Sequence, residues 1–145
     1  MKKTDYAKIA PRAMKLLIDM EKFIHEKSDV DPKIRELVKI RVSQINGCAF
    51  CLNMHSEDAL KKGETVQRIL LLNAWRETSL FSEKEKVALE LAERVTLIKD
   101  HHVDEALQKR IEKHFSDQQF VGLLFIITQI NTWNRLNIAV NNDIA

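Results

Sequence analysis

The chain has only two cysteines, Cys48 and Cys51, both in the stretch INGCAFCLNMH (45–55), and His55 follows four residues after the second. Two thiols this close to an imidazole can serve redox chemistry or hold a metal. On a helix opening near Cys48, positions 48, 51 and 55 stand at i, i+3 and i+7 and share one face. Helical side chains lean toward the N-terminus, which tips the imidazole of His55 over Cys51. Both sulfurs then fall in the first turn, where unpaired backbone N–H groups present partial positive charge. The attacking species in thiol chemistry is the thiolate, and an unperturbed cysteine, with a pKa of about 8.5, is only a few per cent ionised at neutral pH. A helix terminus supplies about 0.5–2 kcal/mol toward the anion, and a nearby imidazolium adds to it. The dipole favours Cys48 as the more acidic thiol, whereas His55 favours Cys51. Two sulfurs this close titrate as a pair.

The preceding segment offers a carboxylate. Gly47 ends one helix just before Cys48 opens the next, which predicts an antiparallel hairpin. Glu36 lies about ten residues before the corner and His55 about eight after it. At ~1.5 Å per residue their heights are similar, ~15 and ~12 Å. Glu36 is therefore placed to hydrogen-bond His55 and fix its tautomer, as an orienting acid does for a catalytic base. Zinc is the rival use of these side chains, since Cys48, Cys51, His55 and Glu36 are all suitable ligand types. A structural zinc site usually draws on a second cysteine pair, and the chain has none. The c-type haem signature fails because Leu52 stands where it requires histidine.

The elements that must position these groups read as helices. Apolar residues recur at helical spacing from Tyr6 to about Glu26. Asp31 can cap the next helix, Pro32 suits its first turn and Gly47 its left-handed end. A helix over about Cys48–Lys62 stops at Gly63, and another covers roughly Glu64–Arg76. Ser82 with Glu85 forms a capping-box pattern, Asp104 or a neighbour opens a short helix ending near His114, and Ser116 with Gln119 opens the last one, toward Asn141. Gly122 inside that apolar helix costs about 1 kcal/mol against alanine, which a close helix–helix approach would explain. The expectation is an all-α, single-domain helical bundle of six to seven helices over 1–145, with its redox core at about 31–63.

Hydrophobic residues make up 45% and charged residues 30%, a balance that excludes disorder, and the net charge of +2 excludes a strongly basic nucleic-acid binder. The longest apolar run, FVGLLFII (120–127), is far short of a membrane span, and the opening MKKTDYAKIAPRAMKLL lacks the pattern of a secretory signal. The expected location is the cytoplasm, where a close cysteine pair points to catalysis or metal binding rather than a structural staple.

Glu36, eleven intervening residues, then C-A-F-C and His55 resemble the AhpD (alkylhydroperoxidase D) core of the carboxymuconolactone decarboxylase superfamily. The flanking VSQING and the downstream QINTWNRLNIA (129–139) are similar to it too. The resemblance implies an all-helical fold, a homo-oligomer (a dimer or a trimer of dimers), and peroxidase or disulfide-reductase chemistry without metal or organic cofactor. It implies that Cys51 attacks a hydroperoxide, Cys48 resolves the product into a disulfide, Glu36 and His55 relay protons, and a dithiol or thioredoxin-like donor reopens the bond. One position departs from the pattern. Where well-studied members carry a second histidine, before the attacking cysteine, this chain has Phe50, so the relay is shorter or runs through water. Two other readings stand beside this one: a lactone decarboxylase, as elsewhere in the superfamily, and a non-enzymatic helical oligomer, zinc-binding or purely structural.

Overall fold

The computed structural model describes residues 3–145; Met1 and Lys2 of the opening segment lie outside the described residues. Among those residues there are helices and no strands. The eight α-helices are α1 (Tyr6–Ile9), α2 (Pro11–Lys27), α3 (Pro32–Asn46), α4 (Ala49–Lys61), α5 (Val66–Leu70), α6 (Glu83–Thr96), α7 (Glu105–His114) and α8 (Asp117–Ala139), with a 3-10 segment at Leu72–Glu77.

The signals for helix ends act as the sequence reading expects. Asp31 accepts from the Lys33 N–H at the start of α3, with Pro32 in the first turn, and Gly47 ends that helix at φ 71°. Ser82 and Ser116 each form a reciprocal capping box, with Glu85 and Gln119 respectively. Asp104 caps α7 by accepting from the Leu107 N–H.

The all-α fold stands, but two expected helices are each divided. The first breaks at Ala10 (φ −128°, ψ 62°), because Pro11 disfavours a helical conformation in the residue before it. The expected helix over 64–76 becomes α5 and the 3-10 segment. Leu72 and Trp75 both enter a cluster with Leu37, Ile40, Phe81 and Leu89. The segment is kinked at Ala74 (φ −110°, ψ 26°), between these two inward-facing side chains.

Helix α3 is the centre of the molecule: nine of its fifteen residues are buried, so it must be covered on every side. Ile34, Val38 and Val42, four residues apart, face a core shared with α6, α7 and α8. Leu37 and Ile40 face the cluster around Trp75. The third side is polar. Glu36, Lys39 and Ser43 recur at i, i+3 and i+7 and are all buried, and this strip faces the site.

The close approach expected at Gly122 is present, and its partner is the end of α2. A Cβ at Gly122 would lie 2.7 Å from both the Cβ and the carbonyl oxygen of Ser28. Nearby on α8, Gln129 Nε2 donates to the Leu17 carbonyl of α2 at 3.1 Å. The two contacts hold α2 along α8 and form one wall of the site.

Candidate functional site

The corner between α3 and α4 places the sulfurs. Cys48 takes the N-cap position of α4 with extended φ/ψ, and its Sγ accepts from the Cys51 N–H. The two cysteines are joined as a disulfide with their Cα atoms 5.4 Å apart, inside the range such bonds need. Both are buried. A polar ladder from α8 fixes the corner. Asn46 Nδ2 donates to Asn131 Oδ1 (3.0 Å) and Asn134 Oδ1 (2.9 Å), and Asn134 Nδ2 donates to Ser43 Oγ at 3.0 Å.

One turn beyond Cys51, His55 meets the hairpin partner that residue counting predicts. His55 Nδ1 lies 3.0 Å from Glu36 Oε2, both side chains being buried. The carboxylate accepts the Nδ1 proton, which leaves Nε2 as the nitrogen free to take or give one. Lys62 Nζ donates to the other carboxylate oxygen at 3.0 Å. Burial pushes the Glu36 carboxyl up, but the His55 hydrogen bond, the Lys39 charge and the Lys62 ammonium outweigh it and hold the group at about 2, below its ordinary 4.5. Glu36 is thus a fixed anion at neutral pH, and its two oxygens are already committed.

A cavity of about 520 Å³ opens over this pair. Met14 and Ile18 of α2, Phe50 and Met54 of α4, and Trp133 of α8 make it mainly apolar. Its polar lining includes Glu36, Lys39, His55, Asp58 and Asn137. Neither sulfur is among the lining groups, so Cys51 is approached past its neighbours. Phe50, the departure noted in the sequence, faces this space.

Several participants carry no signal of their own in the sequence. Buried Lys39 pairs with Glu21 of α2 (3.3 Å), whose other oxygen accepts from Trp133 Nε1 at 2.8 Å. Lys39 and Lys62 were findable, as the helical neighbours of Glu36 at i+3 and of His55 at i+7. His25, read from sequence as a surface residue, is exposed yet reaches the cavity; burial and the Arg35 and Lys39 charges lower its pKa. Asn137 Nδ2 lies 3.7 Å from Cys51 Sγ. It belongs to the segment 129–139, but nothing in that string marks it out from Asn131 or Asn134.

Among the described residues, the His, Cys, Asp and Glu groups clustered closely enough for a metal are Glu36, His55 and Asp58, with ligand atoms within 4.8 Å of one another. The set weighed from the sequence for zinc differs. It includes the two sulfurs, which here are bonded to each other rather than present as thiolates.

Residues 11–94 match the model of the carboxymuconolactone decarboxylase family. The chain belongs to that family. It is 50% identical to the uncharacterized protein YdfG of Bacillus subtilis, over 99% of this chain and 97% of that protein. A crystal structure of a protein of unknown function from Agrobacterium tumefaciens, provisionally named as the antioxidant defence protein AhpD, matches with a TM-score of 0.93. Its identity is 32%, over 99% of this chain and 97% of that one. A peroxidase-related protein of Silicibacter sp., itself uncharacterized, shares the fold at a TM-score of 0.77 and 22% identity, over 88% of this chain and 67% of that one. This member of the carboxymuconolactone decarboxylase family thus carries an AhpD-like core, as its sequence resembles, with a CxxC disulfide at the corner of its central hairpin.

Proposed function

We propose that the protein is a thiol peroxidase, with residues 31–63 as its redox core. In the reduced enzyme the Cys51 thiolate attacks the terminal oxygen of a hydroperoxide. The S–O bond forms, the O–O bond breaks, and the alkoxide leaves as the alcohol with a proton from His55. Cys48 then attacks the sulfur of the Cys51 sulfenic acid. Its thiol proton passes to the leaving hydroxide through His55, water departs, and a disulfide remains. An external dithiol or thioredoxin-like donor returns two electrons by thiol–disulfide exchange. Glu36 holds the imidazole in the tautomer that serves both proton transfers.

One observation carries this reading: a Cys48–Cys51 disulfide opens α4, and one turn on, beside a mainly apolar cavity, His55 pairs with buried Glu36 of α3. The apolar lining supports an organic hydroperoxide as substrate. The neighbour provisionally named for antioxidant defence supports the same class of chemistry. The test is consumption of an alkyl hydroperoxide with a dithiol donor. Cys51→Ser must drop it to the level of donor and buffer alone, and an unchanged rate removes the reading.

The matching family's name supplies a second reading, decarboxylation of a lactone, which needs an acid–base pair but no dithiol. Direct assay of a muconolactone separates the two, because only that activity survives in Cys51→Ser.

A further inference from the structure

The side chain of Asn137 makes three polar contacts. Nδ2 donates to the Trp133 carbonyl one turn back at 2.9 Å and lies 3.7 Å from Cys51 Sγ, within reach of its second hydrogen. Oδ1 accepts from Asn142 Nδ2 at 2.9 Å. An amide can turn over and present either its oxygen or its nitrogen to a neighbour, and an oxygen facing a thiolate would repel it. The Trp133 carbonyl only accepts, so the group beside it is the nitrogen, and the same nitrogen faces the sulfur. The Asn142 bond holds the oxygen end of the amide.

The backbone brings Asn142 into place. Asn141 sits in the left-handed region at φ 54°, a conformation asparagine tolerates better than most residues, and reverses the chain at the end of α8. The Asn142 N–H then donates to the Asn137 carbonyl at 2.9 Å, the long-range bond that closes a Schellman turn. The turn that ends the last helix therefore also orients a side chain at the cavity. Both asparagines line that cavity, and Asn137 is itself buried.

We propose that Asn137 is a catalytic residue that donates a hydrogen bond to the Cys51 thiolate, and that Asn142 is a positioning residue that holds the oxygen end of its amide in place. The inference rests on Cys51 being the attacking sulfur. A donor on a buried anion stabilises the charged form in a way that no apolar wall residue can. The same amide contributes to the attack step, because the sulfur there carries its negative charge away from bulk water.

The test uses the full chain with Cys48→Ser, so that Cys51 is the sole thiol, and follows iodoacetamide alkylation against pH. Asn137→Ala is expected to raise the pH midpoint of alkylation by about one unit, which slows the reaction about tenfold at pH values well below the midpoint. Asn137→Asp raises it further by placing a negative charge beside the sulfur. Asn142→Ala loosens the amide at its oxygen end and gives a smaller rise, about half a unit. It also keeps the inference testable if Asn137 variants fold poorly, because it leaves the Trp133 bond intact. Midpoints that stay at the parent value in folded variants overturn the proposal. A parent that alkylates like an ordinary thiol overturns the peroxidase reading as well. A reactive parent with insensitive variants removes this inference alone.

Discussion

Glu36, which is buried, and Glu93, which is half-buried, are carboxylates that join helices, and both are held below the usual carboxylate range. Their partners differ in kind. Glu93 of α6 accepts from Arg41 Nε at 2.8 Å and Trp75 Nε1 at 2.9 Å and pairs with Arg76 at 2.7 Å, tying the 3-10 segment to α3 and α6. Guanidinium and indole groups keep their protons in a protein, so nothing in that cluster can move one. Glu36 is instead matched with an imidazole, the side chain suited to proton transfer near neutral pH, and the pair opens on a cavity. Both regions hold a carboxylate among cationic partners, Glu36 being the deeper of the two. What separates a structural tie from a candidate proton relay is whether a partner can change protonation and whether the cluster meets a space for substrate.

The contrast is sharpest in activity. Glu36→Gln should lower kcat/KM for hydroperoxide about a hundredfold or more, the scale of losing a positioned acid–base system, while far-ultraviolet circular dichroism stays unchanged. Glu93→Gln should leave activity within about twofold of the parent. Equal activity losses from both substitutions would break the distinction.

Acid unfolding tests the shared property. Glu36 titrates at about 2 when folded against an ordinary 4.5, so its ionisation favours the folded state above pH 4.5 and ceases to do so as the pH falls through 2. The contribution at stake is on the order of 3 kcal/mol. Denaturant midpoints between pH 5 and about 2 should fall less steeply in Glu36→Gln than in the parent. Glu93 is lowered in the same direction, so Glu93→Gln should flatten the curve too.

At neutral pH, Glu93→Gln weakens charge-assisted bonds to two arginines and should cost about 2 kcal/mol, or roughly 6 °C in Tm by calorimetry. Phe50→His is the mildest test. It restores a proton carrier to the position where the family pattern has one, and turnover should rise by no more than about tenfold. A loss of turnover would show that the phenyl ring is needed in the cavity lining.

The helix ends were the most legible part of the chain. Caps such as Asp31, Ser82 and Ser116 and terminators such as Gly47 act through bonds spanning a few residues, so a short string holds all their information. The two divided helices show where such reading stops. The apolar spacing runs unbroken across Pro11, whereas the backbone breaks at Ala10 just before it. The 3-10 winding at Leu72–Glu77 is set by what Leu72 and Trp75 touch in α3 and α6, which local spacing does not contain.

The candidate site divides in the same way. Cys48, Cys51 and His55 are fixed relative to one another by helical periodicity, and a hairpin of known rise brings Glu36 to their level, so sequence alone determined that quartet. Asn137 and Asn142, more than eighty residues away along the chain, reach Cys51 only because α8 packs against the hairpin and ends in a left-handed turn. The cavity, too, needs α2 laid along α8 before Met14 and Trp133 can face each other across it. Only the tertiary structure could decide these, because contacts between distant segments depend on packing every helix at once, whereas a turn of helix carries its own ruler.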